Sequence, residues 1–380
     1  MIKKVYTFIS LALLLVFTFL LFEEYQLLNL YDPRFRLDSI TYVKPESANL
    51  LFESQIIAQP EYLPAAHSSS FTVLPNHDLL AFWFAGTKEG RPDVKIWYST
   101  YHNGVWNMAE PLVDPKMIAK ANHRYVIKVG NPVIYLTEEG ILHLFVVSVS
   151  VGGWSGSALN HLISSDLGRT WSNPQRIIIS PFFNISTLVR TSALGLSDGG
   201  FYLPVYHEFI RKYPELLRFN QDGKFVEQIR ITAQNKLLQP SVVPLSSTNA
   251  WVYFRNGASG GGPLYAAQSQ NGGVSWDVPQ QLQLYNPDAS LVVANLGDGR
   301  LLMVYNPRNR SKLSLAISNN ASTWTPLYNL ESAPGFEFSY PSININSQYI
   351  DILYTYNRKS IKHVRFNRVW LNEVANHAKY

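Results

Sequence analysis

The sequence predicts an all-β chain, a six-bladed β-propeller preceded by one N-terminal transmembrane helix. Three observations carry this reading. Short runs rich in β-branched and aromatic residues follow one another, each bounded by Gly, Pro, Asn or Asp. A turn ending in Trp recurs along the chain. One long run without charge stands at the extreme N-terminus.

That run comes first. After Met1-Ile2-Lys3-Lys4, residues Val5 to Phe22 carry no charge, and Glu23 and Glu24 follow. As a helix the run would rise roughly 27 Å, close to the thickness of a hydrocarbon core. Lysines before it and glutamates after it place the N-terminus in the cytoplasm and the rest outside, periplasmic or extracellular. A signal peptide would want small residues at its exit. The sequence there reads Phe19-Leu20-Leu21-Phe22, which favours an uncleaved anchor over a secreted chain. Residues 1–26 are thus expected as the anchor, 27–50 as a connector and 51–372 as the propeller.

The β runs include Phe71 to Leu74, Leu79 to Phe84, Val94 to Tyr98 and Leu142 to Val147. The recurring turn is cleanest at Ser164-Ser165-Asp166-Leu167-Gly168-Arg169-Thr170-Trp171. It returns at Ser269 to Trp276, one residue short at Ser318 to Trp324, and degenerate at Asn103-Gly104-Val105-Trp106. The Asp or Asn side chain accepts hydrogen bonds from its own turn, Gly supplies a positive φ, and Trp anchors the turn on the sheet. The Trp positions 106, 171, 276 and 324 are separated by 65, 105 and 48 residues, as if one unit had lost its box. Units of roughly 50–60 residues with four strands each are blade-sized, and the chain then holds about six.

Composition removes several function classes. With no Cys there is no disulfide scaffold, thiolate zinc site or cysteine nucleophile. A formal charge of +5 over 380 residues gives little support to a nucleic-acid partner. No His pair has metalloprotease spacing, the glycine-rich loop Gly257 to Gly262 lacks the Lys of a phosphate cradle, and Gly153-Trp154-Ser155-Gly156-Ser157 departs from the nucleophile elbow at its last position. No metal and no cofactor is expected.

The Ser-x-Asp-x-Gly-x-Thr-Trp turn is similar to the Asp box, or BNR repeat, of sialidases. Other segments, in order, resemble the "predicted neuraminidase" branch of that family: His67-Ser68-Ser69-Ser70, Leu79 to Val94, Asn131-Pro132-Val133, Leu203 to Glu208, Pro240-Ser241, Arg255, Asn286-Pro287, Tyr305-Asn306, Ser339-Tyr340-Pro341 and Tyr354 to Val364. The resemblance spans about residues 50–370. It implies a six-bladed propeller with its site at one mouth of the central channel, and a glycan or polysaccharide as substrate.

It also implies an arginine cluster that clamps a carboxylate by paired, charge-assisted hydrogen bonds, an acid/base carboxyl group, and a tyrosine nucleophile activated by a glutamate. His67 stands where the family carries its first arginine, which puts sialic acid itself in question and makes His67 a base or a hydrogen-bond donor. Arg190 and Arg255 are candidates for the clamp, with Arg91 and Arg358 behind them. Glu89 or Asp93 is the acid/base candidate; the plainer reading is that Asp93 braces its loop and Glu89 pairs with Arg91. Tyr206-His207-Glu208 lies at one strand end, with Glu208 activating a tyrosine or touching a sugar hydroxyl, and Tyr340 is the nucleophile candidate. Asn131, Asn286 and Asn306 orient hydroxyls or cap turns. The basic residues gathered late (Arg300, Arg308, Arg310, Lys312, Arg358, Lys359, Lys362, Arg365 and Arg368) read as a solvated face, ahead of a hold for an anionic polysaccharide or a contact with lipid headgroups.

Two alternatives stand beside the exo-acting hydrolase. One is a propeller lyase in which His67 abstracts the proton next to a uronate carboxylate. The other is a glycan-binding propeller without catalysis.

Overall fold

The long uncharged runs become strands buried on both sides. Leu79–Gly86 and Leu142–Val149 are buried at every residue, as strands held between two neighbouring sheets must be. The computed structural model describes residues 6, 9–19, 32–37, 49–180, 184–258 and 262–377.

Six antiparallel sheets form the six blades of a propeller. Their inner strands are Ala65–Val73, Lys128–Leu136, the broken pair Leu188–Val189 and Leu194–Gly195, Leu237–Pro244, Val292–Asn295 and Phe338–Ile345. The last blade takes its fourth strand from the start of the propeller: Phe52–Ile56 pairs antiparallel with Ser360–Asn367. This closure joins the two ends of the propeller through a ladder of backbone bonds. The helix Arg368–His377 then packs Trp370 and Leu371 into the core of blades 5 and 6.

Up-and-down connectivity gives the molecule two unlike faces. Inner strands begin at the face called upper below, where the loops between second and third strands also lie. Turns between first and second strands, and between third and fourth, lie at the lower face.

The Trp turns occupy the lower face. In blade 2, Asp166 accepts from the backbone N and hydroxyl of Thr170 at 2.9 and 2.6 Å, Ser164 Oγ accepts from Gly168 N at 2.9 Å, and Trp171 donates its indole N–H to Gly168 O at 3.1 Å. The same bonds recur in blade 4 with Asn271, Ser269, Gly273 and Trp276. Trp171 meets Phe82 of blade 1 edge-on at 5.7 Å, so the turn also ties two blades. The unit without a box is blade 3, whose turn is Asn220 to Lys224 with Gly223 at φ 71° between two Phe-ended strands.

The anchor expected over residues 1–26 falls partly outside the described residues. Residues 9–19 are helical and exposed. Among the described residues, no helix is long and apolar enough to cross a membrane.

Candidate functional site

Inner strands that ran straight would present alternate residues to the two neighbouring blades. Four of these six do not run straight. Register shifts lie between His67 and Ser70, Gly130 and Val133, Leu238 and Ser241, and Ser339 and Ser342. At each bulge one residue takes a left-handed backbone: Ser68 (φ 58°), Asn131 (φ 41°), Gln239 (φ 47°) and Tyr340 (φ 56°). A Pro follows in three of the four, at 132, 240 and 341; its missing N–H suits a position withdrawn from the ladder. The bulges re-aim side chains at a common region in the upper half of the channel.

Tyr340 is at the centre of that region. Arg255 donates from Nη1 to the Tyr340 hydroxyl at 3.2 Å and from Nε to Asp288 at 2.8 Å. The guanidinium groups of Arg190 and Arg310 lie 5.2 and 5.4 Å from the Tyr340 ring centre. His67 meets the same ring at 4.4 Å. Burial works against the charge of Arg255, but Tyr340 and Asp288 outweigh it and hold its pKa above the ordinary arginine value.

Arg190 is fully inside and donates to the backbone carbonyls of Ser69 at 3.1 Å and Pro341 at 2.7 Å. It thereby pins the bulges of blades 1 and 6 to each other. Burial brings its pKa down to about 10, against the opposing influence of Tyr340 and Tyr206.

His67 is 4% exposed, and neither ring nitrogen has a hydrogen-bond partner among the described residues. Burial pushes its pKa well below the ordinary value, and Arg358, Arg310, Arg190 and Arg255 push the same way. His67 is therefore a neutral imidazole facing cations. It also lines a pocket of about 280 Å³ with Phe84, Glu89, Lys128, Trp154 and Arg358.

Tyr206, unlike the half-buried Tyr340, is a buried tyrosine. Its hydroxyl accepts from the amides of Asn131 at 3.3 Å and Gln239 at 3.2 Å. Burial raises its pKa, and the neighbouring Glu208 and Tyr340 add to the shift. Glu208, at the strand end above, makes no side-chain hydrogen bond or ion pair among the described residues; its backbone N donates to Ser186 Oγ at 2.6 Å.

Around the mouth runs a chain of ion pairs. Glu89 holds Arg358 at 2.5 Å, Arg358 holds Glu337 at 2.6 Å, and Glu337 holds Arg310 at 3.1 Å. Arg310 then donates to the backbone carbonyl of Asp288 at 3.0 Å, which returns the chain to Arg255.

Of the residues expected from sequence, the fold brings together His67, Arg190, Tyr206, Arg255, Tyr340, Glu89 and Arg358. Asp93 sits in an exposed loop, where its carboxylate accepts from the backbone N and hydroxyl of Thr87 at 2.7 and 2.8 Å. Burial would raise its pKa, but these bonds prevail and lower it, as for a loop brace. Arg91 is exposed on the same loop, and the partner of Glu89 is Arg358 rather than Arg91. Asn286 and Asn306 serve the backbone: Asn286 bonds Ala289 O and the N–H of Asn306, and Asn306 bonds the carbonyls of Lys312 and Phe338.

Sequence reasoning passed over Gln239, Asp288, Arg310 and Glu337. Arg310 follows the second strand of blade 5, much as Arg255 ends the second strand of blade 4. That shared place in the repeat was the available signal. The solvated-face reading fails for Arg310 and Arg358, which stand at the mouth; Arg300 and Arg365 pair with Asp298 and Asp351. Among the described residues no group of His, Asp and Glu has the arrangement of a metal site.

A protein of unknown function from Dyadobacter fermentans is similar over 83% of this chain and 98% of its own, with a TM-score of 0.67 at 14% identity. A Hadza microbial sialidase is similar over 81% of this chain and 67% of its own (TM-score 0.68, 16% identity). The NanB sialidase of Streptococcus pneumoniae is similar over 83% of this chain and 70% of its own (TM-score 0.66, 10% identity). No curated protein matches the sequence. At these identities the likeness is one of fold. The BNR repeat-like domain matches residues 77–352, well over half of the chain. The chain therefore belongs to the BNR repeat-like domain family, and its propeller has the fold of the sialidases it is similar to.

Proposed function

We propose that the chain is a membrane-anchored, extracytoplasmic glycoside hydrolase that removes a terminal acidic sugar from a glycan. One observation carries this reading. The Tyr340 hydroxyl is hydrogen-bonded by Arg255, Arg190 and Arg310 stand beside its ring, and Arg190 is bonded to backbone carbonyls and paired with no carboxylate among the described residues. A hollow of this kind favours an anionic ligand, and guanidinium groups suit a carboxylate.

In the proposed reaction Arg255 and Arg310 grip the substrate carboxylate. The Tyr340 oxygen attacks the anomeric carbon as its proton passes to Glu208, and the glycosidic bond breaks as Glu89, in its protonated form, gives its proton to the departing oxygen. Water then attacks the glycosyl–tyrosine bond with Glu89 as base, freeing the sugar and returning the proton. Tyr340 leaves as it regains its proton from Glu208, and Arg255 aims a donor at the oxygen on which charge develops as that proton departs and returns. Arg190 acts through Tyr340 by fixing its bulge, Asp93 keeps the Glu89 loop in shape, and Tyr206 contacts sugar hydroxyls. The anchor rests on the uncharged run Val5 to Phe22 behind Lys3 and Lys4.

The test is release of a monosaccharide from a panel of sialosides and other acidic glycans, by wild type and by Tyr340→Phe, Arg255→Ala and Glu89→Gln. Release by wild type and loss in all three variants supports the reading; identical behaviour on every substrate removes it.

One observation favours a lyase instead. His67 is buried, neutral and without a partner beside four arginines, as a base facing a uronate would be. An unsaturated, ultraviolet-absorbing product from uronate polymers, lost in His67→Phe, would replace the hydrolase reading.

A further inference from the structure

The second Trp turn differs from the first at a position that its own turn does not explain. Leu167 of the blade 2 turn has φ 58°, and its counterpart in blade 4, Gly272, has φ 69°. A left-handed leucine is tolerated in the one, so backbone conformation alone does not demand glycine in the other. Space does. A Cβ on Gly272 would lie 1.7 Å from the carbonyl oxygen of Pro33, and one on Gly273 would lie 3.1 Å from the Phe35 ring. Residues far upstream occupy the place of the missing side chain.

The segment 32–37 crosses the lower face over three blades. Phe35 N donates to Ser247 O at 2.7 Å in blade 4, and Arg36 N to Gly195 O at 2.9 Å in blade 3. Ser197 N returns a bond to Arg34 O at 2.9 Å. Phe35 is 2% exposed, in the cluster of Leu196, Tyr202, Leu216 and Val252. Arg36 reaches blade 2, with Tyr135 Oη at 3.4 Å and Glu138 at 3.4 Å. A Cβ on Gly195 would lie 2.7 Å from the Arg36 guanidinium carbon. Three glycines thus clear the path of one segment.

We infer that residues 32–37 are a docked strap, which ties the N-terminal apolar segment to the face opposite the site and turns the Tyr340 mouth away from the membrane. The docking stands on these contacts; the membrane side rests on the anchor proposed above. The strap also shortens the tether. Between Phe22 and Asp32 lie nine residues, which span at most roughly 30 Å, whereas from Phe22 to Phe52 an undocked chain would have twenty-nine residues and roughly 100 Å. A short tether on the lower face presents the site to glycans arriving from outside rather than to the anchor's own bilayer.

The absence of Cys allows a direct test with single labels on the full chain in phosphatidylcholine vesicles that carry an acceptor dye on the headgroups. Ile210→Cys marks the upper face and Gln221→Cys the lower. Energy transfer to the bilayer is expected to be at least threefold stronger from position 221, with the difference lost when Phe35→Ala or Gly272→Ala is added. Equal transfer in the otherwise native chain, or stronger transfer from position 210, overturns the orientation. A chain that does not float with vesicles overturns the anchor and the orientation with it. Trypsin decides the docking separately: cleavage after Arg34 and Arg36 should be at least tenfold slower in the native chain than in either strap variant, with circular dichroism showing that the propeller persists. Equal cleavage rates would mean that no strap is docked.

Discussion

The two faces of this propeller use the same kind of residue in opposite ways. On the lower face, the bonded side chains of the first Trp turn find their partners within its own eight residues: Asp166 with Thr170, Ser164 with Gly168, Trp171 with Gly168. On the upper face, Arg190 reaches across the channel to Ser69 and Pro341, and Arg255 to Tyr340. Several buried polar atoms there, including both His67 nitrogens, the hydroxyls of Ser68 and Ser69 and Gln239 Oε1, have no partner among the described residues. Local satisfaction builds a scaffold, and unsatisfied groups gathered from distant strands mark where a ligand belongs.

The largest effect that would sharpen this contrast is expected at Tyr340. Tyr340→Phe removes one oxygen, and kcat/KM on the substrate found by the glycan panel should fall by about 10³-fold with the melting temperature nearly unchanged. Tyr206→Phe, at a hydroxyl held by two amides, should fall far less. Comparable losses at both would mean that Tyr340 has no special role.

Arg255→Ala should lower kcat/KM by about 10²-fold, mostly through KM, because the clamp holds the substrate carboxylate before and during reaction. Arg300→Ala, whose guanidinium pairs with Asp298 at the lower end of blade 5, should leave both constants alone. The acid limb of the pH profile adds a further check. His67 has its pKa held well below 6.5 by burial and four cations, so no loss of rate from its protonation should be seen between pH 6.5 and 8.

Between blades 2 and 3, His143 and His161 share a hydrogen bond of 2.9 Å inside the core. Burial lowers their pKa values from 6.5 to about 4 and about 3; Glu139 opposes the shift at His143, and His143 adds to it at His161. Both bind protons more tightly when unfolded, so stability is full above pH 6.5 and falls as the pH drops toward 4. The loss for the two together should be on the order of 6 kcal/mol by pH 4, read as a fall in urea midpoint, and about half as large in His143→Leu. A flat profile would show that the pair protonates without cost.

The smallest expected effect lies at the turns. Trp171→Ala should cost about 2 kcal/mol through lost packing on Phe82 and leave kcat/KM within twofold. A large loss of activity would end the division of labour between the faces.

This contrast also explains what the sequence could disclose. The Asp166 turn is visible because its bonds join neighbours in the chain, and from its repeats the blade count follows. Tyr340, Arg255 and His67 were reachable through an ordered resemblance. Arg310 offered only its place after a second strand, shared with Arg255, and among basic neighbours that looks like any surface charge; Asp288 offered no signal until the ring closes. Gln239 is aimed by a bulge, and a one-residue register shift has no periodic signature. The seat for residues 32–37 hides in a glycine that its own turn would not have required.

The most direct test of the site is to trap its intermediate. A fluorinated acidic sugar with a good leaving group, chosen to match the substrate found by the glycan panel, should label the native protein once, and peptide mapping should place the sugar on Tyr340. No label should form on Tyr340→Phe. A stable adduct on another residue, or turnover of the natural substrate with no adduct at any time, would contradict the account.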